Sequence, residues 1–88
     1  MTTLHRMASR ITPRQLEVLS FLARREKWLV GEVAEGLGVS SAAATKAIIR
    51  LERKGLVSRT IDIMDRRCVH VRLTRPGSDA AHGTGRSL

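Results

Sequence analysis

The chain has 88 residues, 42% of them apolar, with one Phe, one Trp and no Tyr. That suffices for one small domain around an aliphatic core, and it excludes two domains or a large enclosed substrate cavity. Sixteen Lys and Arg against eight Asp and Glu give a formal net charge of +8, which points to a polyanion or an anionic membrane as partner.

The excess charge is clustered. Residues 40–75 hold nine Lys/Arg and three Asp/Glu, a net of +6, where a scattered basic surface would serve only solubility. The lone Cys68 cannot close an internal disulfide, so a stapled secreted scaffold is excluded and a reducing cytosol is expected. No apolar run approaches the ~20 residues of a membrane span, and the first residues carry no apolar signal segment. The expectation is a cytoplasmic protein with no membrane partner.

In chain order, Leu4, Met7, Ala8 and Ile11 follow helical spacing. Residues 1–11 therefore read as an N-terminal arm or short helix, either a remnant dimer helix or an arm packed on its own domain. Thr12-Pro13-Arg14-Gln15 is a helix start: Thr12 caps, Pro13 suits the first helical position, and Gln15 completes a capping box. Leu16, Leu19, Leu22 and Ala23 form the buried stripe, with Val18 and Phe21 beside it, and the helix is expected to reach Arg25. Trp28-Leu29-Val30 reads as an extended connector or short edge strand, with Trp28 covering the core edge where it meets a later hairpin. A short helix is predicted over 31–37, with Val33, Ala34 and Leu37 inward and Gly38 as a left-handed stop. Ser40 caps a third helix over 41–54, whose buried stripe is Ala44, Ala47, Ile48 and Leu51; Gly55 ends it.

After Gly55 the period changes to two. Val57, Arg59 and Ile61 alternate with Ser58, Thr60 and Asp62, and Val69, Val71 and Leu73 alternate with Cys68, His70 and Arg72. These are two antiparallel strands, joined by a loop with adjacent arginines at 66 and 67. Thr74 is placed to cap a last helix, but Gly77, Ser78, Gly83, Thr84 and Gly85 disfavour one. The predicted organisation is an N-terminal arm (1–11), a winged helix-turn-helix domain (12–75) and a short frayed tail (76–88). The fold class is mainly α with a small β-hairpin.

A short helix, a tight Gly turn, a longer helix and a basic hairpin make a winged helix-turn-helix, whose third helix fits the major groove of B-DNA. Ser41, Ala42 and Ala43 are small and let the backbone come close. Thr45 and Lys46 are read as lying one turn on, on the same exposed side. Ser41, Ala43, Thr45 and Lys46 are the candidates for base edges. Ser40, Arg50, Arg53 and Arg59 are the candidates for phosphates. The hairpin loop, with Arg66 and Arg67, can send an arginine into the adjacent minor groove, where a narrow groove concentrates negative potential.

The residues that build this arrangement also carry a resemblance. Thr12-Pro13-Arg14-Gln15-Leu16, the run Val33 to Ser40, the run Leu51 to Val57, Asp65-Arg66-Arg67 and the run Val71 to Gly77 together resemble the MarR family of bacterial winged-helix regulators. The resemblance covers about residues 12–77. It implies a regulator of transcription that binds double-stranded DNA, often as a repressor. It also implies that Asp65-Arg66-Arg67 is the family's D-x-R wing motif, in which Arg67 enters the minor groove and Asp65 orients it by a charge-assisted pair. Family members carry long helices before and after the winged domain that make the dimer. Eleven residues precede Thr12 and a Gly-rich tail follows Gly77, so most of those helices, and the ligand pocket beside them, are expected to be absent. No small-molecule effector is therefore expected. Ile49 departs from the family's polar residue there and is read as exposed, most simply a scattered surface residue.

Cys68 and His70 alternate on one strand face, but two ligands are too few for a zinc site, so no metal or cofactor is expected. Cys68 adjoins Arg67, whose charge would lower the thiol pKa, a motive for a redox sensor, but an ordinary thiol is the expected reading. No nucleophile, base and orienter assemble, so an enzyme is not expected. Glu17, Glu26, Glu32 and Glu35 read as helix-surface partners for nearby Arg and Lys. The expected partner is duplex DNA, with a second copy of the chain or another transcription protein completing the assembly. The alternative is a winged-helix protein-interaction module, an accessory subunit or anti-regulator, which Ile49 favours and the charged segment does not. An RNA binder is disfavoured by the scarcity of aromatic residues.

Overall fold

The computed structural model describes residues 11–83; the arm over 1–10 and the tail end over 84–88 lie outside the described residues. Helix α1 (Pro13–Leu22) starts as its capping box dictates. The Thr12 hydroxyl accepts from the Gln15 N–H at 3.0 Å, and the Gln15 side chain accepts from the Thr12 N–H at 3.2 Å. The helix ends at Leu22, three residues before the expected Arg25. The Trp28 indole N–H takes the Leu22 carbonyl at 2.9 Å, so the chain has already turned. Val18, Leu19 and Leu22 are buried, whereas Leu16 is exposed. At 100° per residue, Leu16 lies roughly 110° around the helix from the centre of the buried three, which puts it at the edge of the stripe rather than within it.

Strand β1 (Trp28–Leu29) leads directly into α2 (Val30–Leu37), where the Glu32 carboxylate accepts from the Leu29 N–H at 2.9 Å. Gly38 is left-handed at φ 71°, a conformation that costs glycine nothing. Helix α3 (Ser41–Arg53) follows, with the Ser40 hydroxyl accepting from the Ala43 N–H at 3.0 Å. Ala44, Ile48 and Leu51 face inward.

Strands β2 (Val57–Ile61) and β3 (Val69–Leu73) form the hairpin, and β1 adds to the free edge of β3, giving the antiparallel order β1-β3-β2. Trp28 and Arg59 lie on either side of Val71, and Val57 lies opposite Leu73. Trp28 therefore covers the core edge, as its sequence position suggests. The core comprises Leu19, Leu22, Val33, Ile48, Leu51, Leu56, Val57 and Val71, drawn from three helices and the hairpin, with Val18, Trp28 and Ala80 around it.

Helix α4 (Arg75–Gly83) stands where the glycine content suggested a frayed tail. The Thr74 hydroxyl accepts from the Gly77 N–H at 3.1 Å and donates to the Gly55 carbonyl at 2.7 Å, so one side chain caps the helix and ties it to the turn after α3. A Cβ at Gly77 would collide with the Leu56 carbonyl. The glycine that weakens helix propensity is thus the one that lets the helix seat, and Ala80 then buries against the core.

Candidate nucleic-acid interface

Helix α3 carries three distinct surfaces besides its buried stripe. Ala42, Lys46 and Arg53 recur at i, i+4 and i+11, directly opposite Ala44, Ile48 and Leu51, and all three are exposed. Arg50 is exposed beside them. On one flank, the Lys54 ammonium donates to the Gln15 side chain at 2.7 Å, which fixes the end of α3 against α1. On the other flank, Ser41, Thr45 and Ile48 line a groove whose far wall is Arg59, Arg67, Cys68 and Val69 of the hairpin. Leu29, Val30, Gly31, Glu32 and Glu35 close its end. Thr45 is therefore half-buried on the groove wall and does not share the outward side of Lys46. The two residues stand about 100° apart. Ala43 and Ser41 are exposed in the first turn, beside the Ser40 cap. Ile49 is half-buried, not exposed as its helical position implied.

The loop over 62–68 is ordered by its own carboxylates. Asp65 Oδ1 accepts from both the Arg67 backbone N–H (3.1 Å) and the Arg67 guanidinium Nε (3.2 Å), the charge-assisted pair that the D-x-R resemblance implies. The Arg67 side chain is nonetheless 91% exposed, so Asp65 aims it without burying it. Those same two bonds, the side chain's first, hold the Asp65 carboxyl below its ordinary value. Asp62 Oδ1 accepts from the Met64 N–H at 2.8 Å, and its other oxygen lies 3.2 Å from His70 Nε2. The His70 contact, then the Met64 N–H, keeps Asp62 in its charged form. Arg66 is exposed at the loop's end.

Two expected residues act differently. Arg59 donates through Nε to Glu52 at 2.9 Å, which braces β2 against α3 while the side chain borders the groove. Cys68 lies in the loop, ahead of β3, and donates to Asp65 Oδ2 at 3.6 Å. Desolvation, then the Asp65 charge, pushes the thiol up, and the opposing influence of Arg67 is weaker. The expected depression of the Cys68 pKa is therefore reversed. The helix-surface carboxylates pair with nearby arginines as expected at Glu17 with Arg14 and Glu32 with Arg25, whereas Glu26 lies in the turn after α1, not on a helix, and pairs with the distant Arg72 of β3. Sequence reading passed over two apolar residues of the loop. Ile63 and Met64 are each 91% exposed, and Ile61 beside them 59%. Strict alternation in β2 was the available signal, because it runs out at the loop.

No helix among the described residues is long and apolar enough to cross a membrane. The MarR family pattern matches residues 11–69. The HTH-type transcriptional repressor MdtR of Bacillus subtilis is 40% identical over 67 residues, covering 76% of this chain and 43% of that protein. The crystal structure of the YusO protein from Bacillus subtilis superposes with a TM-score of 0.75 at 35% identity, over 89% of this chain and 55% of the other. The S. aureus MepR–DNA complex gives a TM-score of 0.80 at 25% identity, over 85% and 56%. The chain thus spans about half the length of the relatives it matches. With the winged helix-turn-helix built as described and the family pattern running through its helices and into the wing, the chain belongs to the MarR family.

Proposed function

We propose that this chain grips double-stranded DNA as part of a cytoplasmic transcription regulator that acts as a repressor and has no enzymatic activity. Helix α3 lies in the major groove and the 62–68 loop in the adjacent minor groove. The observation that carries this reading is the groove shared by the first turns of α3 and by Arg67. It brings the helix that would read bases and the arginine that would probe the next groove to one surface. Lys46, with Ser41 and Ala43 in the first turn, faces base edges, while Thr45 lines the groove wall toward the hairpin. Ala42 keeps the approach close. Ser40, Arg50 and Arg53 meet phosphates, with Arg59 bracing the two elements and Arg66 exposed on the loop. Asp65 orients Arg67. The repressor relative and the DNA-bound neighbour support the same reading.

A single module of this size covers only ~600–1,000 Å² of protein surface on DNA, so useful specificity calls for a homodimer. The test is a gel shift at fixed salt. Arg67→Ala is expected to weaken duplex binding by ~1–3 kcal/mol, most strongly with A·T-rich flanks. Equal binding by variant and parent would remove the wing from the interface.

A further inference from the structure

Ile63 and Met64 are almost fully exposed, and they are neighbours at the head of the loop. A floppy loop could fold such side chains away, but this one is closed on itself. The Asp62 N–H donates to the Cys68 carbonyl and the Cys68 N–H to the Asp65 carbonyl, each at 2.9 Å. Both carboxylates are turned onto the loop: Asp62 holds the Met64 N–H and Asp65 holds Arg67. What remains outward is two apolar side chains and the guanidinium groups of Arg66 and Arg67. The minor groove suits such a tip, because its phosphate rails are anionic and its walls of sugar and base edges are largely apolar. Apolar side chains that enter this groove act by levering base steps apart.

We propose that Ile63 and Met64 form an apolar wedge that packs into the minor groove beside Arg67 and makes the wing select a deformable base step. The inference rests on the DNA-binding reading above and adds a specificity determinant to it. Pyrimidine–purine steps such as TA and CA unstack most easily, so they are the steps the wedge favours. An apolar wedge displaces no counterions, whereas a guanidinium entering the anionic minor groove does. The two contributions therefore separate by their response to salt.

The experiment starts with duplexes selected from a random pool by the parent protein. The double variant I63S/M64S changes only exposed side chains, and an unchanged melting temperature confirms its fold. On the selected duplex it is expected to bind about tenfold more weakly, by the same factor at low and moderate salt. It should also lose the preference for TA or CA over AA at the wing position. Arg67→Ala should instead flatten the salt dependence. Equal affinity and equal step preference in variant and parent would overturn the wedge. So would a deficit confined to phosphatidylserine vesicles, with duplex binding intact, which would make the tip a membrane contact. If the parent enriched no duplex at all, the underlying DNA-binding reading would fall as well. That result is distinct, because it appears before any variant is made.

Discussion

Asp65 shows how one carboxylate can prepare an arginine for a distant partner. It accepts from the backbone and the guanidinium of Arg67 together, which fixes the loop turn and the aim of the side chain. The pair contributes while Asp65 is charged. Its folded value is depressed, so the contribution is complete above the ordinary value of 3.8 and is lost as pH falls through the lower folded value. Carboxyl chemical shifts followed through an acid titration should place the Asp65 midpoint below 3.8, and Arg67→Ala should raise it. A midpoint unmoved by that substitution would contradict the pairing. Cys68 behaves in the opposite sense. Its raised value means that alkylation by iodoacetamide stays slow at neutral pH and accelerates only above the ordinary thiol value of 9.0. Rapid alkylation at pH 7 would restore the sensor reading. The Asp65–Arg67 pair was legible only through the family resemblance, as the D-x-R wing motif, and the bonds at 3.1 and 3.2 Å bear it out. The Cys68 environment was not legible. Sequence adjacency exposes the Arg67 charge, but burial and the through-space contact with Asp65 decide the sign.

Elements were legible wherever local chemistry sets their ends. Thr12 with Gln15, Ser40, Gly38 and Gly55 mark boundaries through bonds that span three residues or through a left-handed φ. Boundaries that depend on a distant group leave no such local mark. Helix α1 stops early for the Trp28 indole, and α4 forms because Thr74 and Gly77 meet the turn at Gly55 and Leu56. Thr45 was misplaced for a related reason: the groove on its flank exists only once the hairpin folds beside α3. Two substitutions test this scale. Ser40→Ala removes the cap of α3 and should cost ~1 kcal/mol in chemical denaturation, since a lost N-cap is worth ~0.5–2 kcal/mol. Gly77→Ala should destabilise, because its Cβ would collide with the Leu56 carbonyl, although helix propensity alone favours alanine by ~1 kcal/mol. A stabilised Gly77→Ala variant would show that α4 does not seat on Leu56.

For the whole molecule, three helices and the hairpin converge on a small core, and the cations are left on the surface that the core does not use. Leu19, fully buried, should cost ~2–5 kcal/mol as Leu19→Ala in equilibrium unfolding, with an altered melting temperature as a second readout. A loss under 1 kcal/mol would mean that the core is not the one described. The order helix, turn, helix, hairpin was readable because each element has its own period. The relation between helix and wing was not, since it depends on how β2 packs against α3 through Arg59 and Glu52.

The proposed clamp on two adjacent grooves depends on that relation, and dimethyl sulfate footprinting on a selected duplex tests it most directly. The reagent methylates guanine N7 in the major groove and adenine N3 in the minor groove. The expected pattern is protection of guanine N7 under α3 and of adenine N3 about half a helical turn away, under the 62–68 loop, with the second protection lost in Arg67→Ala. Protection of guanines alone, or of neither base, would contradict the two-groove account.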